Sequence, residues 1–379
     1  MARGRVAIIG GGAAGLMTAV LINGATVYDK NASLGKKLLV TGNGRCNLTN
    51  ANLTADCYNH PDFVARYLDK YGYEYQKTLF EKLGILLRID DEGRVYPITN
   101  SARTVQDVLI SNADCLFDSS EVLKIERDHS GYTVVTESGR YHHDIVVVAT
   151  GGGSTILDGF GIKKISPSPS LVPLECVERY KSLDGVRVKC VATLYRDGVQ
   201  IYRERGEVLF RKYGLSGICI MNMSAHISRD RQAKYRISLD ILPDISLDVL
   251  ADMLSVRKAD TALKALDGIT VRSLSEVILG RVKIGVDDYQ SFVNRAREVA
   301  ISLKSFDFTV SGTRPIEEGQ VVSGGYSIDE VEEDLSVSSM PNMYIVGEAL
   351  DIDGLCGGYN LAWAWMSASI VAESINAKI

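Results

Sequence analysis

The sequence has no pair of cysteines spaced as C-x-x-C, and its seven cysteines are an odd number. This usage argues against a disulfide framework and fits reduced thiols in a cytoplasmic protein. No uninterrupted apolar run approaches the roughly 18 residues of a membrane helix. The chain enters an apolar segment without a charged leader, so we expect no signal peptide. These absences predict a soluble cytoplasmic protein with no membrane partner.

An excess of positive charge is also missing. The formal net charge over 379 residues is −5, and no basic stripe with interleaved aromatic residues stands out, so we expect no nucleic-acid partner. The histidines lack metal-ligand spacing, and His142 and His143 would point to opposite faces of a strand. We therefore predict no metal site and surface or capping positions for most of the histidines, which are His60, His129, His142, His143 and His226.

The segment from Arg5 to Gly15, RVAIIGGGAAG, is the strongest positive signal. An apolar run typical of a buried parallel strand stops at three glycines, and a helical pattern follows. Gly10, Gly12 and Gly15 form G-x-G-x-x-G between strand and helix, the context in which this motif indicates dinucleotide binding. The glycines permit a tight turn, close approach of a pyrophosphate and close packing of the helix on the strand. The helix N-terminus would then face the phosphates.

A second apolar stretch, ATVYDK, ends on Asp29. A carboxylate at this position accepts hydrogen bonds from a ribose hydroxyl, which favours FAD or NAD over NADP. The following segment, Asn31 to Asn50, is rich in Gly, Asn and Thr and carries Lys36, Lys37 and Arg45. It is either a solvated loop or one that wraps a polar ligand, and its place after the ribose acid favours cofactor contact.

Two later stretches predict that the chain returns to the cofactor. His142 to Ser154 is a buried strand ending in three glycines, and Met343 to Val346 is another strand. Glu348, Asp351 and Asp353 then precede Gly357 and Gly358 and a long apolar helix. A carboxylate and a helix N-terminus suit the ribityl chain and ring of FAD, whereas NAD has no group that needs this second contact.

The composition and the pattern of apolar residues change in the middle of the chain, from about Ser166 onward. SPSPSLVPLE is a proline-punctuated linker, and Val186 to Phe210 alternates as antiparallel strands do. Gly214 to Ile227 fits a strand or a short helix, while Leu247 to Lys304 is helical in pattern. Glu121 to Glu137 reads as a hairpin. We predict an FAD-binding domain at residues 1–165 and 330–379, a β-rich insert on the substrate side at 166–245 and 305–329, and a helical subdomain at 246–304.

The segments LGKKLLVTGNGRCNLTN, RVYPITN, GTRPIEEGQVVSGGYSIDEV and IVGEALDIDGLCGGYNLAWAWMSA together resemble the bacterial YhiN/BaiN-type flavoproteins. That family includes NAD(P)/FAD-dependent oxidoreductases, an aminoacetone oxidase and a bile-acid enone reductase. The resemblance implies an α/β fold with a discontinuous Rossmann-like, glutathione-reductase-like FAD domain, a β-rich insert, a small helical subdomain and non-covalent FAD. The chain departs from the family pattern at Ile218 and Cys219 and at Cys356, and these departures bear on the substrate side more than on the FAD side.

Motif and resemblance together imply a set of cofactor-binding positions. Along the pyrophosphate, adenosine and flavin these are Gly10, Gly12, Ala13, Ala14, Gly15, Asp29, Lys30, Lys36, Lys37, Thr41, Gly42, Arg45, Cys46, Asn47, Val122, Thr150, Gly151 and Gly152. At the ribityl chain and the pyrimidine end of the ring they are Gly347, Glu348, Asp353, Gly357, Gly358, Tyr359, Asn360 and Leu361.

No catalytic triad is visible, as expected where a flavin carries the chemistry. Cys46 and Cys356 would place a thiol near the reactive ring if their loops meet, or would be small packed residues. Tyr96 lines the catalytic face or packs in the core. Tyr326 and Arg314 are candidates for gripping substrate. Trp363 and Trp365 are expected in the core.

The leading hypothesis is an FAD-dependent oxidoreductase of a small molecule acting by hydride transfer at flavin N5, with NAD(P)H-driven reduction of an activated double bond preferred. The alternative is an oxidase of a small amine or amino ketone that uses oxygen. An alternative of another class is a non-catalytic or sensory flavoprotein. No second G-x-G-x-x-G follows a strand, so NAD(P)H would dock directly on the flavin as a transient reductant.

Overall fold

The computed structural model describes residues 5–230 and 232–379. The described chain divides into two compact units. The first comprises residues 5–168 and 321–379, and the second comprises residues 169–320. Each unit has its own buried apolar core.

The strands and helices follow the chain in a regular order. The strands are β1 (Val6–Ile9), β2 (Ala25–Tyr28), β3 (Thr49–Asn50), β4 (Leu87–Ile89), β5 (Arg94–Pro97), β6 (Cys115–Asp118), β7 (Val122–Arg127), β8 (Tyr132–Thr136), β9 (Gly139–His143), β10 (Ile145–Val148), β11 (Lys164–Ser170), β12 (Leu174–Cys176), β13 (Arg187–Arg196), β14 (Val199–Arg211), β15 (Gly214–Ser216), β16 (Tyr235–Asp240), β17 (Phe306–Thr313), β18 (Val321–Tyr326) and β19 (Met343–Ile345). The α-helices are α1 (Ala13–Leu21), α2 (Pro61–Tyr71), α3 (Tyr73–Lys82), α4 (Ala102–Asn112), α5 (Ile218–Ser228), α6 (Leu247–Ser255), α7 (Arg272–Arg281), α8 (Tyr289–Asn294), α9 (Ala296–Lys304) and α10 (Tyr359–Asn376).

The first unit is built on a parallel sheet with the strand order β19-β10-β1-β2-β6. Strands β1 and β10 are apolar along their whole length, β2 is apolar except for Thr26, and all three are fully buried, as expected for strands covered on both faces. Because α1 and α10 pack against each other, the helices of the first and last segments share one face. The predicted Rossmann-like α/β fold is confirmed.

Three small antiparallel sheets complete the first unit, with the orders β3-β5-β4, β7-β8-β9 and β11-β18. The predicted hairpin is confirmed as β7 and β8. His142 and His143 do point to opposite faces of β9, with His143 buried. His143 is therefore not a surface residue; its Nε2 lies 2.8 Å from the Tyr28 hydroxyl.

The second unit contains a closed barrel with the order β12-β15-β14-β13-β16-β17. Its interior is filled by alternate side chains such as Cys190, Ala192 and Leu194. The ambiguous segment that begins at Gly214 proves to be both alternatives, since the short strand β15 runs directly into α5. Helices α6 to α9 share one apolar core with the barrel.

One segment falls in a different unit from the sequence-based division. Residues 321–329 were predicted in the insert, but β18 belongs to the first unit. It pairs with β11, and the Tyr326 carbonyl accepts a hydrogen bond from the Asp351 N–H at 2.8 Å. The assignment of functions to the predicted domains stays a prediction. Among the described residues, no helix combines the length and the apolar character needed to cross a bilayer.

Candidate functional site

The turn between β1 and α1 has the geometry that its glycines predict. Gly10 adopts φ +103°, and a Cβ there would lie 2.5 Å from the Ala149 carbonyl oxygen. A Cβ on Gly15 would overlap the Gly10 carbonyl oxygen, whereas a Cβ on Gly12 would meet nothing within 4 Å. Gly12 also caps α1 without any side-chain hydrogen bond. Open space therefore lies in front of unpaired helix N–H groups, the arrangement that binds phosphate.

Asp29 lies beside this turn at the end of β2. Its Oδ2 accepts a hydrogen bond from the Gly11 N–H at 2.7 Å, and its Oδ1 accepts from the backbone and side-chain amides of Asn31. The carboxylate thus holds the glycine turn against the next loop. Lys30 lies at the same edge, 3.8 Å from Glu121, which precedes Val122.

The loop after Asp29 is an ordered 3₁₀ segment with a kink, from Lys36 to Gly44. Gly42, Asn43, Gly44 and Cys46 all have positive φ values. For the two non-glycine residues this conformation is strained, and such residues concentrate at functional sites. A Cβ on Gly42 would lie 2.9 Å from the amide nitrogen of Asn47, so the loop folds back tightly on itself. Residues 43–45 are exposed and residues 46–50 are buried or half-buried, so contact of this loop with the cofactor stays a prediction.

The loop meets the start of α10. A Cβ on Gly358 would lie 2.5 Å from the Thr49 carbonyl oxygen and 2.8 Å from Asn47 Oδ1. Asn50 donates a hydrogen bond to the Gly357 carbonyl at 2.9 Å, and Trp365 donates one to the Leu48 carbonyl at 2.8 Å. Segments more than 300 residues apart in sequence are therefore in direct contact.

The N-terminus of α10 has no side-chain cap, and Gly358 adopts a left-handed conformation. The first N–H groups of this 18-residue helix, on Tyr359, Asn360 and Leu361, precede the first intrahelical bond, from the Ala362 N–H to the Gly358 carbonyl. The Asn360 side chain bonds both the N–H and the carbonyl of Gly354 at 2.8 Å. Asn360 thus orders the preceding loop, and contact of its backbone N–H with the ring stays a prediction.

Glu348 connects these segments. Burial raises the pKa of its carboxyl, the Lys37 ammonium and the Gly152 N–H oppose this rise, and the Asp353 carboxylate adds to it. Lys37 Nζ also lies 3.7 Å from where a Cβ on Gly151 would be. A partly buried carboxylate that is only partly compensated suits a hydroxyl-bearing ligand, which can donate hydrogen bonds to it.

The strand ends converge on α1 as well. Gly347 has φ +62°, and a Cβ there would lie 2.9 Å from the Ala14 side chain. Its N–H donates to Ser367 Oγ at 2.9 Å, and its carbonyl accepts from the Trp363 indole at 3.1 Å. Trp363 and Trp365 are buried, so their predicted core role is confirmed.

Three of the predicted catalytic candidates belong to this region. Cys46 is fully buried, and burial raises the pKa of its thiol to about 12 against a weaker opposing hydrogen bond from Thr41. Cys356 is half-buried on the loop before α10, and both cysteines are free thiols. Tyr96 is buried in β5, and the guanidinium carbons of Arg45 and Arg88 lie 5.0 Å and 4.8 Å from its ring centroid.

The other two candidates are held by protein groups. The Tyr326 hydroxyl accepts from the Leu157 N–H at 2.8 Å and donates to Asp158 at 3.3 Å. Arg314 lies in the second unit and pairs with Glu175 at 2.8 Å and Glu318 at 2.6 Å. These bonds describe structural roles, and a part in gripping substrate stays a prediction.

Sequence reasoning missed the residues that order the loop before α10. His60 Nε2 lies 3.1 Å from the buried Asp351 carboxylate. The side-chain oxygen and backbone N–H of Asn59 bond the backbone N–H and carbonyl of Asp353, at 3.0 Å and 3.1 Å. The only available signal was an Asn-His pair before the proline that starts α2, which carries no chemistry by itself.

Buried polar atoms without a hydrogen-bond partner test whether this region fits FAD. Asn47 Oδ1, Thr49 Oγ1 and Thr150 Oγ1 have none among the described residues. All three lie on the segments described above, and burying such atoms unpaired costs about 1–3 kcal/mol each. Together with the open space at Gly12 and the half-buried Glu348, they fit a large polar ligand along the strand ends and α10. The residues present fit FAD.

Comparison with known proteins identifies the family. The model of the HI0933-like protein Rossmann domain matches residues 4–374. The chain belongs to this family. It is an FAD-dependent oxidoreductase, in agreement with the site geometry.

Individual relatives extend this picture. The chain is 28% identical to a 3-dehydro-bile acid delta(4,6)-reductase of Clostridium scindens, with 98% of each chain covered. It is 27% identical to a ribosomal RNA dihydrouridine synthase of Haemophilus influenzae, with 97% of this chain and 98% of the relative covered. Among solved structures, a 3-ketosteroid delta1-dehydrogenase from Sterolibacterium denitrificans matches with a TM-score of 0.48, 11% identity, and 98% and 99% coverage of the two chains.

Among the described residues, no group of three or more His, Cys, Asp or Glu side chains could hold an ion.

Proposed function

We propose that this member of the HI0933-like family uses NAD(P)H to reduce a carbon–carbon double bond activated by a neighbouring carbonyl group. The observation that carries the proposal is the chemistry common to two full-length relatives. One is named a delta(4,6)-reductase and the other a dihydrouridine synthase. Dihydrouridine differs from uridine by two hydrogens across a double bond next to a carbonyl, so both names describe saturation of an activated alkene.

The chain's own residues hold the cofactor that supplies hydride chemistry when bound. Gly12 and the N-terminus of α1 would receive the pyrophosphate, and Asp29 would receive the adenosine ribose. Glu348 would accept from the ribityl hydroxyls. Asn47 and the backbone N–H groups at the start of α10 would bind the polar edge of the ring.

Reduction of an activated alkene also needs a proton at the second carbon. Of the candidate donors, we propose Tyr96. Its hydroxyl has no hydrogen bond among the described residues, unlike that of Tyr326, and two guanidinium groups lie over its ring. Cys46 is disfavoured as the donor because its thiol is buried, which raises its pKa to about 12. Its own backbone also has a positive φ, a strained conformation.

Anaerobic stopped-flow absorbance in the flavin band tests the proposal. Rapid bleaching by NADH or NADPH, followed by recovery on adding a cyclic enone, is the expected result. Bleaching by small amines alone would favour the oxidase alternative. The absence of turnover both with NAD(P)H and an enone and with small amines would favour the alternative of a non-catalytic flavoprotein.

The Y96F variant separates the two half-reactions. We expect it to be bleached by NAD(P)H at the wild-type rate but to reoxidise with the enone about 100-fold more slowly, the usual scale of general-acid catalysis. The matched control is Y73F, on the partly exposed Tyr73 at the start of α3. Unchanged reoxidation in Y96F would assign the proton to another group.

A second candidate substrate is uridine in RNA. The dihydrouridine synthases of Haemophilus influenzae and Escherichia coli, at 27% and 26% identity over nearly the full chain, favour it. Incubation with unmodified ribosomal RNA and NAD(P)H, followed by nucleoside mass spectrometry, would detect dihydrouridine if RNA is the substrate.

A further inference from the structure

The formal charge of this protein is distributed very unevenly. Residues 179–236 contain thirteen Lys and Arg but five Asp and Glu, a net charge of +8, whereas the whole chain carries −5. The rest of the chain is therefore strongly acidic. The expectation of no nucleic-acid partner rested on the whole-chain average, which conceals this basic segment.

The strands of the barrel direct much of this charge outward. In β13 the even positions Cys190, Ala192 and Leu194 fill the core, so the odd positions face away from it. The antiparallel register pairs Lys189 with Glu207 and Thr193 with Arg203. Because directly paired residues share a face of the sheet, Arg203, Arg205 and Glu207 of β14 also point outward.

Strand β16 continues the same surface. Its register pairs Arg236 with Tyr195 of β13, so both side chains lie on the outer face. We call this surface the basic hairpin face, and it includes Arg187, Lys189, Tyr195, Arg203, Arg205 and Arg236 together with one acid, Glu207.

Part of its charge is compensated locally. Arg187 forms an ion pair with Glu207, Arg205 pairs with Asp244 at 2.9 Å, and Arg236 pairs with Asp307 at 2.9 Å. Lys189 and Arg203 are exposed and have no acidic partner among the described residues. These two cations are fully available to an anionic partner without breaking an existing ion pair.

An aromatic ring lies on the same face. The guanidinium carbon of Arg236 is 4.0 Å from the centroid of the half-buried Tyr195 ring. A half-exposed guanidinium stacked on an aromatic ring offers a flat platform on which a nucleic-acid base can stack, with cations beside it for the phosphates.

We propose that the basic hairpin face binds RNA, with Lys189 and Arg203 on phosphates and the Tyr195–Arg236 stack against an unpaired base. The stack favours RNA with single-stranded segments over duplex DNA, whose bases are not presented for stacking. A membrane surface would use the cations but not the stack. The inference does not rest on the proposed reductase activity, because it concerns binding by the second unit alone.

Fluorescence anisotropy with a labelled RNA hairpin that has a single-stranded loop tests the proposal on the intact holoenzyme. The K189Q/R203Q variant should bind about tenfold more weakly at moderate salt. Its slope of log affinity against log salt should fall by about 1.4, since two phosphate contacts are removed. The control K82Q/K258Q changes the same charge at two exposed lysines elsewhere and should bind as wild type does.

Tyr195 distinguishes RNA from other anions. The Y195A variant should bind the hairpin about tenfold more weakly without a change in salt slope, and Y195F should retain wild-type affinity because it keeps the ring. Flavin absorbance and the melting temperature of each variant show whether it remains folded.

Several outcomes would overturn the proposal. These are wild-type affinity in K189Q/R203Q, an equal loss in the control pair, or no effect of Y195A. A different result would assign the face to a membrane. In that case phosphatidylserine vesicles would bind the wild type but not K189Q/R203Q, and the RNA hairpin would bind neither protein. RNA binding that fails while NAD(P)H and an enone still turn over would leave the reductase proposal intact.

Discussion

Gly12 and Gly15 differ in what an added methyl group would meet. At Gly15 a Cβ would overlap the Gly10 carbonyl oxygen, a backbone atom that cannot move aside, whereas at Gly12 it would enter open space. The same motif therefore contains one glycine required for packing and one, Gly12, that we propose is required for ligand approach.

Alanine substitutions separate these two roles. We expect G15A to lower the melting temperature by several degrees and to lose FAD. The G12A variant should keep the melting temperature of the apoprotein and lose FAD about as completely. The control is G280A in α7, where a Cβ meets nothing within 4 Å and alanine should stabilise by about 0.4–1 kcal/mol. Normal FAD content in G12A would contradict the proposed pyrophosphate position.

The cysteines differ in reactivity for a similarly local reason. Burial raises the thiol pKa values of Cys46, Cys176, Cys190 and Cys219 to about 12. Cys57 and Cys356 are half-buried. Because the thiolate is the nucleophile, buried thiols with raised pKa values react slowly.

A short iodoacetamide pulse at mildly alkaline pH, read by peptide mass spectrometry, should therefore modify Cys57 and Cys356 well before the four buried thiols. The denatured protein, in which all seven thiols react, is the control. Modification of Cys46 as fast as Cys57 would restore it as a catalytic candidate.

At the scale of elements, the junction between β19 and α10 concentrates the site. The short turn after β19 carries Glu348, whose pKa is raised by burial. At a pH between the ordinary pKa of glutamate and the raised pKa of Glu348, the folded protein keeps a proton that the unfolded chain has released. Stability therefore falls as pH rises from the ordinary pKa of glutamate through the raised one, because the charged form of Glu348 is disfavoured by burial in the apoprotein.

The E348Q variant should accordingly change stability and binding in opposite directions. At neutral pH we expect the apoprotein to melt about 2 °C higher than wild type, with no difference at a pH below the ordinary pKa of glutamate. FAD should bind about tenfold more weakly, since a charged acceptor is lost. E137Q, at an exposed glutamate, should change neither property. A lower melting temperature in E348Q would show that Glu348 is well compensated without ligand.

Other elements show where local pattern is sufficient. The apolar runs of β1 and β10 predicted buried parallel strands, and the β7–β8 hairpin followed from alternation and a turn. The pattern could not assign β18 to the first unit, because that depends on pairing with β11 across an intervening segment of about 150 residues. Nor could it resolve Gly214 to Ile227, where strand and helix meet within four residues.

At the scale of the whole molecule, the second unit is a continuous segment with its own core. Its ends lie together, since the Gln320 N–H donates to the Leu171 carbonyl at 3.2 Å. A contiguous segment with adjacent ends and a private core is able to fold alone.

We therefore expect a fragment of residues 169–320 to unfold cooperatively in urea and to bind no FAD. The complementary chain, in which a short glycine-serine linker joins Ser168 to Val321, should retain FAD because every proposed FAD-binding residue lies in the first unit. A scrambled second-unit fragment provides the unfolded reference. A non-cooperative fragment would mean that the second unit depends on the first.

The sequence by itself determined the α/β fold, the glycine turn and the FAD chemistry, since these depend on short-range patterns of apolar residues, glycines and acids. Tertiary structure decided that Asn47 and Thr49 lie against Gly358, that Tyr326 and Arg314 are already paired, and that Asn59 orders the loop before α10. It also decided which cations of a net acidic chain share one face of the barrel. Such contacts join residues far apart in sequence, and a strand pattern read alone does not specify its partner strand.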